Sequence, residues 1–67
     1  MEKLVQITRF EALDLHKNYN DKNYKAQIQG QYKLAEKYSE KSEYWLEISR
    51  QIQYLKVNEL NVKLSMF

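Results

Sequence analysis

The spacing of apolar residues in the second half of the chain predicts one long helix. From Tyr24 onward the apolar positions advance in steps of three and four residues, with one step of seven. When the polar position at 41 or 42 is counted, the mean step is about 3.5 residues, which is the period of a left-handed supercoil. The pattern predicts a helix over about 22–58. Gly30 is its weak point, because Gly inside a helix costs about 1 kcal/mol relative to Ala.

A shorter helix is predicted before it, over about 2–17. Its apolar residues form one broad stripe, and they are Leu4, Val5, Ile7, Phe10, Leu13 and Leu15. Segment 18–21 is polar, and its Asn and Asp side chains bond to nearby backbone, which favours a turn. The predicted fold class is therefore all-α, a helical hairpin with a short first helix and a long second helix.

Two stretches of alternating polar and apolar residues indicate a different fold. Residues 24–34 alternate in this way, and so do residues 60–66. Strict alternation is typical of a half-buried strand, so a small α+β fold is the alternative. Strands also need turn residues between them, and the chain has no Pro and one Gly. This scarcity favours helix for 24–56 and leaves the tail, residues 60–67, undecided.

The length of the chain predicts a single small domain that associates with itself. A chain of 67 residues buries only about 60% of the surface that its unfolded form exposes. It has no Cys, hence neither a disulfide nor a thiolate metal site. A homodimer is expected, joined along the second helix as a coiled coil or four-helix bundle. The residues predicted for the core and the dimer seam are Tyr38, Trp45, Ile48, Ile52 and Leu55.

Membrane and catalytic functions find little support in the sequence. No apolar run exceeds the three residues 44–46, which argues against a transmembrane helix, and the start lacks the apolar segment of a signal peptide. A cytoplasmic protein is expected. The one histidine, His16, lies at the edge of the polar turn, and Glu11, Asp14 and His16 do not share a helical face. We therefore expect no enzyme activity, metal site, cofactor or small-molecule substrate.

Aromatic residues are the most distinctive part of the composition. Seven Tyr and Trp residues fall within the 36 residues from Tyr19 to Tyr54. Such side chains are enriched in protein interfaces, since they bury much area at low entropic cost. The predicted function is a non-enzymatic protein–protein interaction module. The residues predicted to bind the partner are Tyr44, Tyr54, Leu60, Val62, Leu64 and Phe67.

Small cysteine-free chains of this kind resemble accessory regulators of bacteriophages and plasmids, which bind host proteins and modulate them. The likeness is one of type, and no motif carries it. The alternative function is a small dimeric nucleic-acid-binding regulator. Its phosphate contacts would come from segment 16–33, where lysines alternate with aromatic residues, and they are Lys17, Lys22, Lys25 and Lys33. The net charge of +2 and the absence of Arg from that segment make this signal weak.

Overall fold

Two helices and a two-stranded sheet make up the chain. The computed structural model describes residues 2–67. In chain order they form β1 (Leu4–Thr8), α1 (Arg9–Ile28), α2 (Tyr32–Leu55), β2 (Glu59–Lys63) and a short 3₁₀ helix (Leu64–Met66). The prediction of a mainly helical chain with two helices is confirmed, and the small sheet of the alternative prediction is present as well.

The first helix starts later than predicted. Residues 4–8 form a strand instead, and α1 begins after a capping box at Thr8. The Glu11 backbone N–H donates to Thr8 Oγ1 at 3.2 Å, and the Thr8 backbone N–H donates to Glu11 Oε1 at 3.2 Å. A Thr followed three residues later by Glu satisfies two backbone donors and marks a helix start. The predicted helix over 2–17 is therefore wrong for residues 2–8, nearly half of its length.

The predicted turn at 18–21 is also wrong, because α1 continues through it to Ile28. Asn and Asp are only modestly unfavourable inside an exposed helix, and packing overrides such preferences. Here the packing is that of Tyr19, whose ring centroid lies 6.0 Å from that of Tyr38 on α2. Ala26, one turn before the helix ends, is also buried.

Gly30 ends α1, so the single long helix predicted over 22–58 does not form. Its φ of 75° lies in the left-handed region that Gly adopts without strain. The Gly30 N–H donates to the Gln27 carbonyl oxygen at 3.1 Å, and the Gln31 N–H donates to that of Ala26 at 2.8 Å. This pair of bonds is a Schellman motif, which closes a helix and redirects the chain. Residues 24–34 are consequently two helix ends and a turn, not the strand of the alternative prediction.

The two helices form an antiparallel hairpin, and both contribute small buried residues. On α2 these are Ala35, Ser42 and Ser49, each 4% exposed and spaced seven residues apart. On α1 they are Ala12 and Ala26, at 0% and 3%. The distance between packed helices depends on the side chains at the contact, so small residues let these two backbones approach closely.

The sheet joins the two ends of the chain. β1 and β2 pair antiparallel, with Val5 opposite Val62 and Ile7 opposite Leu60. Alternate side chains of a strand point to opposite faces. These four apolar residues therefore share one face, and they belong to the core or pack against it, with Ile7 and Val62 each 3% exposed. The undecided tail is thus a strand over residues 59–63, as its alternation indicated.

The core lies where α1, α2 and the sheet meet. Its buried members are Ile7, Ala12, Trp45, Ile48, Ile52 and Val62. Trp45 is fully buried and contacts the rings of Tyr44 and Phe67, at centroid distances of 5.1 and 4.7 Å. The molecule measures 39 × 28 × 13 Å. Because it is this thin, a single small core leaves one long face of each helix in solvent.

Candidate interaction surfaces

The residues predicted for a dimer seam are used mainly within one copy of the chain. Trp45, Ile48 and Ile52 are 0%, 8% and 2% exposed, covered by the sheet and by α1. Tyr38 is half-buried against Tyr19. Leu55 is 54% exposed, because it is the last residue of α2 and Lys56 then turns the chain away in a left-handed conformation. Three of the five residues predicted for the core and the dimer seam therefore lie in the core of one copy, and Leu55 is left uncovered in it.

The residues predicted to bind a partner divide into two groups. Val62 is buried, Leu60 is half-buried, and Tyr44 and Phe67 pack against the core around Trp45. The alternation that includes Leu60 and Val62 was a strand signal, and β2 turns these two side chains toward the core. Tyr54 and Leu64 are 85% and 50% exposed, so these two remain available to a partner.

Polar contacts hold the end of the chain against α2. Lys41 Nζ donates to the backbone oxygens of Met66 and Phe67, both at 3.1 Å. Ser65 Oγ donates to a carboxylate oxygen of Glu2, and Lys63 Nζ lies 4.0 Å from the other. The tail is thus packed on its own molecule and is not presented as a free peptide.

Two of the four lysines of the alternative function lie at one groove. Lys22 and Lys25 border a shallow groove beside Tyr38, and Lys17 and Lys33 are not among the residues that line it. Lys22 Nζ lies 5.1 and 5.8 Å from the ring centroids of Tyr19 and Tyr38, in reach of a cation–π interaction with both. One of the four cations is therefore placed over aromatic rings of its own chain.

His16 joins the two helices. It lies in the middle of α1, not at a helix end as predicted, and is half-buried. Its Nδ1 is 2.9 Å from the Ser42 carbonyl oxygen and 2.8 Å from Ser42 Oγ, which is itself 3.2 Å from the His16 carbonyl oxygen. These contacts satisfy the buried Ser42 hydroxyl. Among residues 2–67, no three His, Cys, Asp or Glu side chains come together in a way that could hold a metal ion.

Tyr44 packs at the edge of the core, and its hydroxyl is affected by that burial. Burial beside Trp45 raises the pKa of its hydroxyl above the ordinary 10.0, since desolvation disfavours the phenolate. Tyr44 also borders a shallow groove on α2, together with Glu40, Glu43, Leu46, Glu47 and Arg50. The shift reflects packing at the edge of the core.

Two exposed lines of residues run along the outer sides of the helices. The α1 stripe consists of Phe10, Asp14, Lys17, Asp21, Tyr24 and Ile28, spaced alternately four and three residues apart. The α2 acidic stripe consists of Glu36, Glu40, Glu43 and Glu47. Residues spaced in this way share one face of a helix. The predicted turn at 18–21 had hidden the α1 stripe, although its seven-residue pattern is visible in the sequence.

The structure leaves many large apolar side chains uncovered. Within residues 2–67, eleven of them are 37–85% exposed, against eight buried hydrophobic residues of which three are alanines. The eleven are Leu4, Phe10, Tyr24, Ile28, Tyr32, Leu34, Tyr54, Leu55, Val57, Leu64 and Met66. No helix in this part of the chain has the length and apolar character needed to span a bilayer.

Comparison with known proteins returns no relative. No family model, no curated protein and no solved structure matches the chain.

Proposed function

We propose that this chain is a non-enzymatic interaction module that binds another protein and modulates its activity. The observation that supports this most is the imbalance between its small core and its eleven exposed large apolar side chains. Single exposed apolar residues are ordinary on protein surfaces, whereas sets of them on one element mark interaction sites.

The partner-binding surface that we propose is the α2 acidic stripe with Tyr54 at its C-terminal end. Tyr54 is 85% exposed and lies seven residues after Glu47, on the same side of α2. Leu55 and Val57, 54% and 43% exposed, extend the apolar area next to it. Tyrosine is a frequent interface anchor because it combines a large apolar ring with a polar tip.

The charge of the stripe indicates the chemistry of the partner. All four of its glutamates are exposed. Among the described residues the only ion pair that involves them is Glu47 with Arg50, at 4.0 Å with both side chains largely in solvent. Such a pair contributes little to stability, so the stripe retains its negative potential. A basic protein surface with an apolar pocket for Tyr54 is the complementary partner, and attraction between the two would speed their encounter.

A photo-crosslinking experiment tests this proposal. A benzophenone amino acid replaces Tyr54 in one variant and Gln6, exposed on the outer face of β1, in the control. In lysate of the source organism, position 54 should give one dominant protein adduct that position 6 does not give. The same adduct should weaken when Glu43→Lys and Glu47→Lys are introduced, and should persist with Glu59→Lys on β2.

Two results would count against the proposal. Equal labelling at both positions would mean that Tyr54 is merely exposed. Adducts that disappear after nuclease treatment would favour the alternative, a nucleic-acid-binding regulator, and binding should then fall steeply with salt.

A further inference from the structure

The α1 stripe is an uncovered helix face with the spacing of a coiled coil. Its six residues are all exposed, including Phe10 at 76%, Tyr24 at 66% and Ile28 at 68%. The stripe faces away from α2, because Ala12, Tyr19 and Ala26 occupy the opposite side of α1 and make the contacts with the rest of the chain. Steps of alternately four and three residues keep a seam facing a partner helix.

When the α1 stripe is paired with an antiparallel copy of itself, the residues that face each other are complementary. When a second α1 runs antiparallel with the two-fold axis beside Tyr19, Phe10 of each copy faces Ile28 of the other. In the same arrangement Asp14 faces Tyr24, and Lys17 faces Asp21. Each of these layers pairs an a position of one helix with a d position of the other, as in antiparallel coiled coils. The contacts are apolar at both ends of the stripe and between opposite charges at its centre. We propose that two copies of this chain associate through the α1 stripe in this antiparallel arrangement.

Positions beside the stripe agree with the same arrangement. Glu11 of one copy lies across from Lys25 of the other, and Asn18 and Asn20 each lie across from themselves. No pair of like charges arises along the contact. The arrangement also gives Lys17 and Asp21 partners of opposite charge, whereas neither forms an ion pair within residues 2–67.

The charges at the centre select the direction of pairing and the helix that pairs. In a parallel pair Lys17 would face Lys17 and Asp21 would face Asp21, and like charges in facing positions are unfavourable. The α2 acidic stripe cannot pair favourably with a second copy of itself. An antiparallel copy would bring Glu40 against Glu43 and Glu36 against Glu47. Self-association through α1 therefore leaves the α2 acidic stripe of each copy outward. It goes beyond the proposed function and stands or falls independently of it.

Sedimentation equilibrium of the full chain and its variants tests the inference. The unchanged chain should form a dimer. Ile28→Glu should abolish dimerisation while leaving the far-ultraviolet circular dichroism and Trp45 emission of the monomer unchanged, since Ile28 is exposed. The matched control is Tyr54→Glu, also exposed on a helix, which should dimerise like the unchanged chain.

A charge exchange then tests the direction of pairing. Lys17→Asp alone and Asp21→Lys alone should each weaken the dimer about tenfold or more, because each creates facing like charges. The double variant with both changes should recover most of the lost affinity, since opposite charges again face each other. A chain that stays monomeric at millimolar concentration overturns the inference, as does a dimer indifferent to Ile28→Glu. Failure of the double variant to recover overturns the antiparallel arrangement. None of these results affects crosslinking at Tyr54.

Discussion

The two helices use their apolar residues in different ways. On α2 they lie mostly on one side, where six residues are buried, including Trp45, Ile48 and Ile52. On α1 only Ala12 and Ala26 are buried, and large side chains such as Phe10 and Ile28 point to solvent. A helix with apolar residues on several sides needs cover on more than one of them. The difference teaches that α2 completes the fold of one copy, while α1 has a second face left to cover.

Truncating one aromatic residue on each helix should separate the two roles most clearly. Trp45→Ala should lower the free energy of unfolding by about 3–5 kcal/mol, since it leaves a cavity at the centre of the core. A domain this small should then be largely unfolded at 25 °C. Phe10→Ala, on the exposed face of α1, should change it by less than about 0.5 kcal/mol in dilute solution. Urea denaturation monitored by circular dichroism measures both, and equal losses would contradict the division of roles.

Enlarging a residue in the seam between the helices should have the next largest effect. Ser42→Leu forces extra atoms into a closely packed contact and removes the hydroxyl that bonds to His16. We expect a loss of about 1–3 kcal/mol in stability. Glu43→Leu, the next residue and exposed, is the control and should be nearly neutral. If Ser42→Leu were as stable as the unchanged chain, the helices would not be held at close range by small residues.

The starts of the two helices should respond differently to loss of a side chain. Thr8→Ala removes the cap of α1 and should cost about 1 kcal/mol, whereas Thr8→Ser should retain most of it. The residue preceding α2, Gln31, makes no side-chain cap bond, so Gln31→Ala should have almost no effect. Thermal melts of the four chains in one buffer provide the comparison. Equal effects at Thr8 and Gln31 would show that the capping box contributes nothing.

Ionisation of the Tyr44 hydroxyl should have the smallest effect on the free energy of unfolding. Burial raises its pKa in the folded chain, so the unfolded chain ionises first as pH increases. The contribution of the neutral Tyr44 hydroxyl to folding stability is fully present below about pH 10, the ordinary pKa of tyrosine, and it is lost as pH rises through the raised pKa of the folded chain. Absorbance titration at high pH should show a component with a raised pKa that disappears in Tyr44→Phe and persists in Tyr24→Phe. Two identical titration curves would mean that the Tyr44 hydroxyl is well hydrated.

Several features of the fold could be predicted from residues close together in the chain. The helical period predicted a helix over about 22–58, which contains α2, and the alternation near the end was compatible with β2. The sequence Thr8 to Glu11 also carries the start of α1, a signal that the predicted helix over 2–17 did not use, and Gly30, the weak point of the predicted long helix, is where α1 closes. The prediction of a turn at 18–21 was wrong because Asn and Asp residues favour turns only when no packing opposes them.

The candidate surfaces were harder to predict, because exposure depends on contacts between distant segments. Three residues predicted to bind a partner instead belong to the core or pack against it, and they are Tyr44, Val62 and Phe67. Their burial depends on the packing of the C-terminal segment against α2. Phe10 and Ile28 were left uncovered by the same packing. Their spacing became a single surface only once α1 was continuous through residue 21.

Sequence by itself determined the amphipathic pattern of α2, the alternation of residues 60–66, the spacing of Thr8 and Glu11 and the charges along each helix, because these depend only on residue type and on spacing along the chain. Tertiary structure decided that α1 continues through residues 18–21 against α2 and that residues 4–8 pair with 59–63. It also decided which aromatic side chains remain in solvent. These outcomes depend on contacts between residues up to about 60 positions apart, and burial in such contacts outweighs local preferences of a few tenths of a kcal/mol.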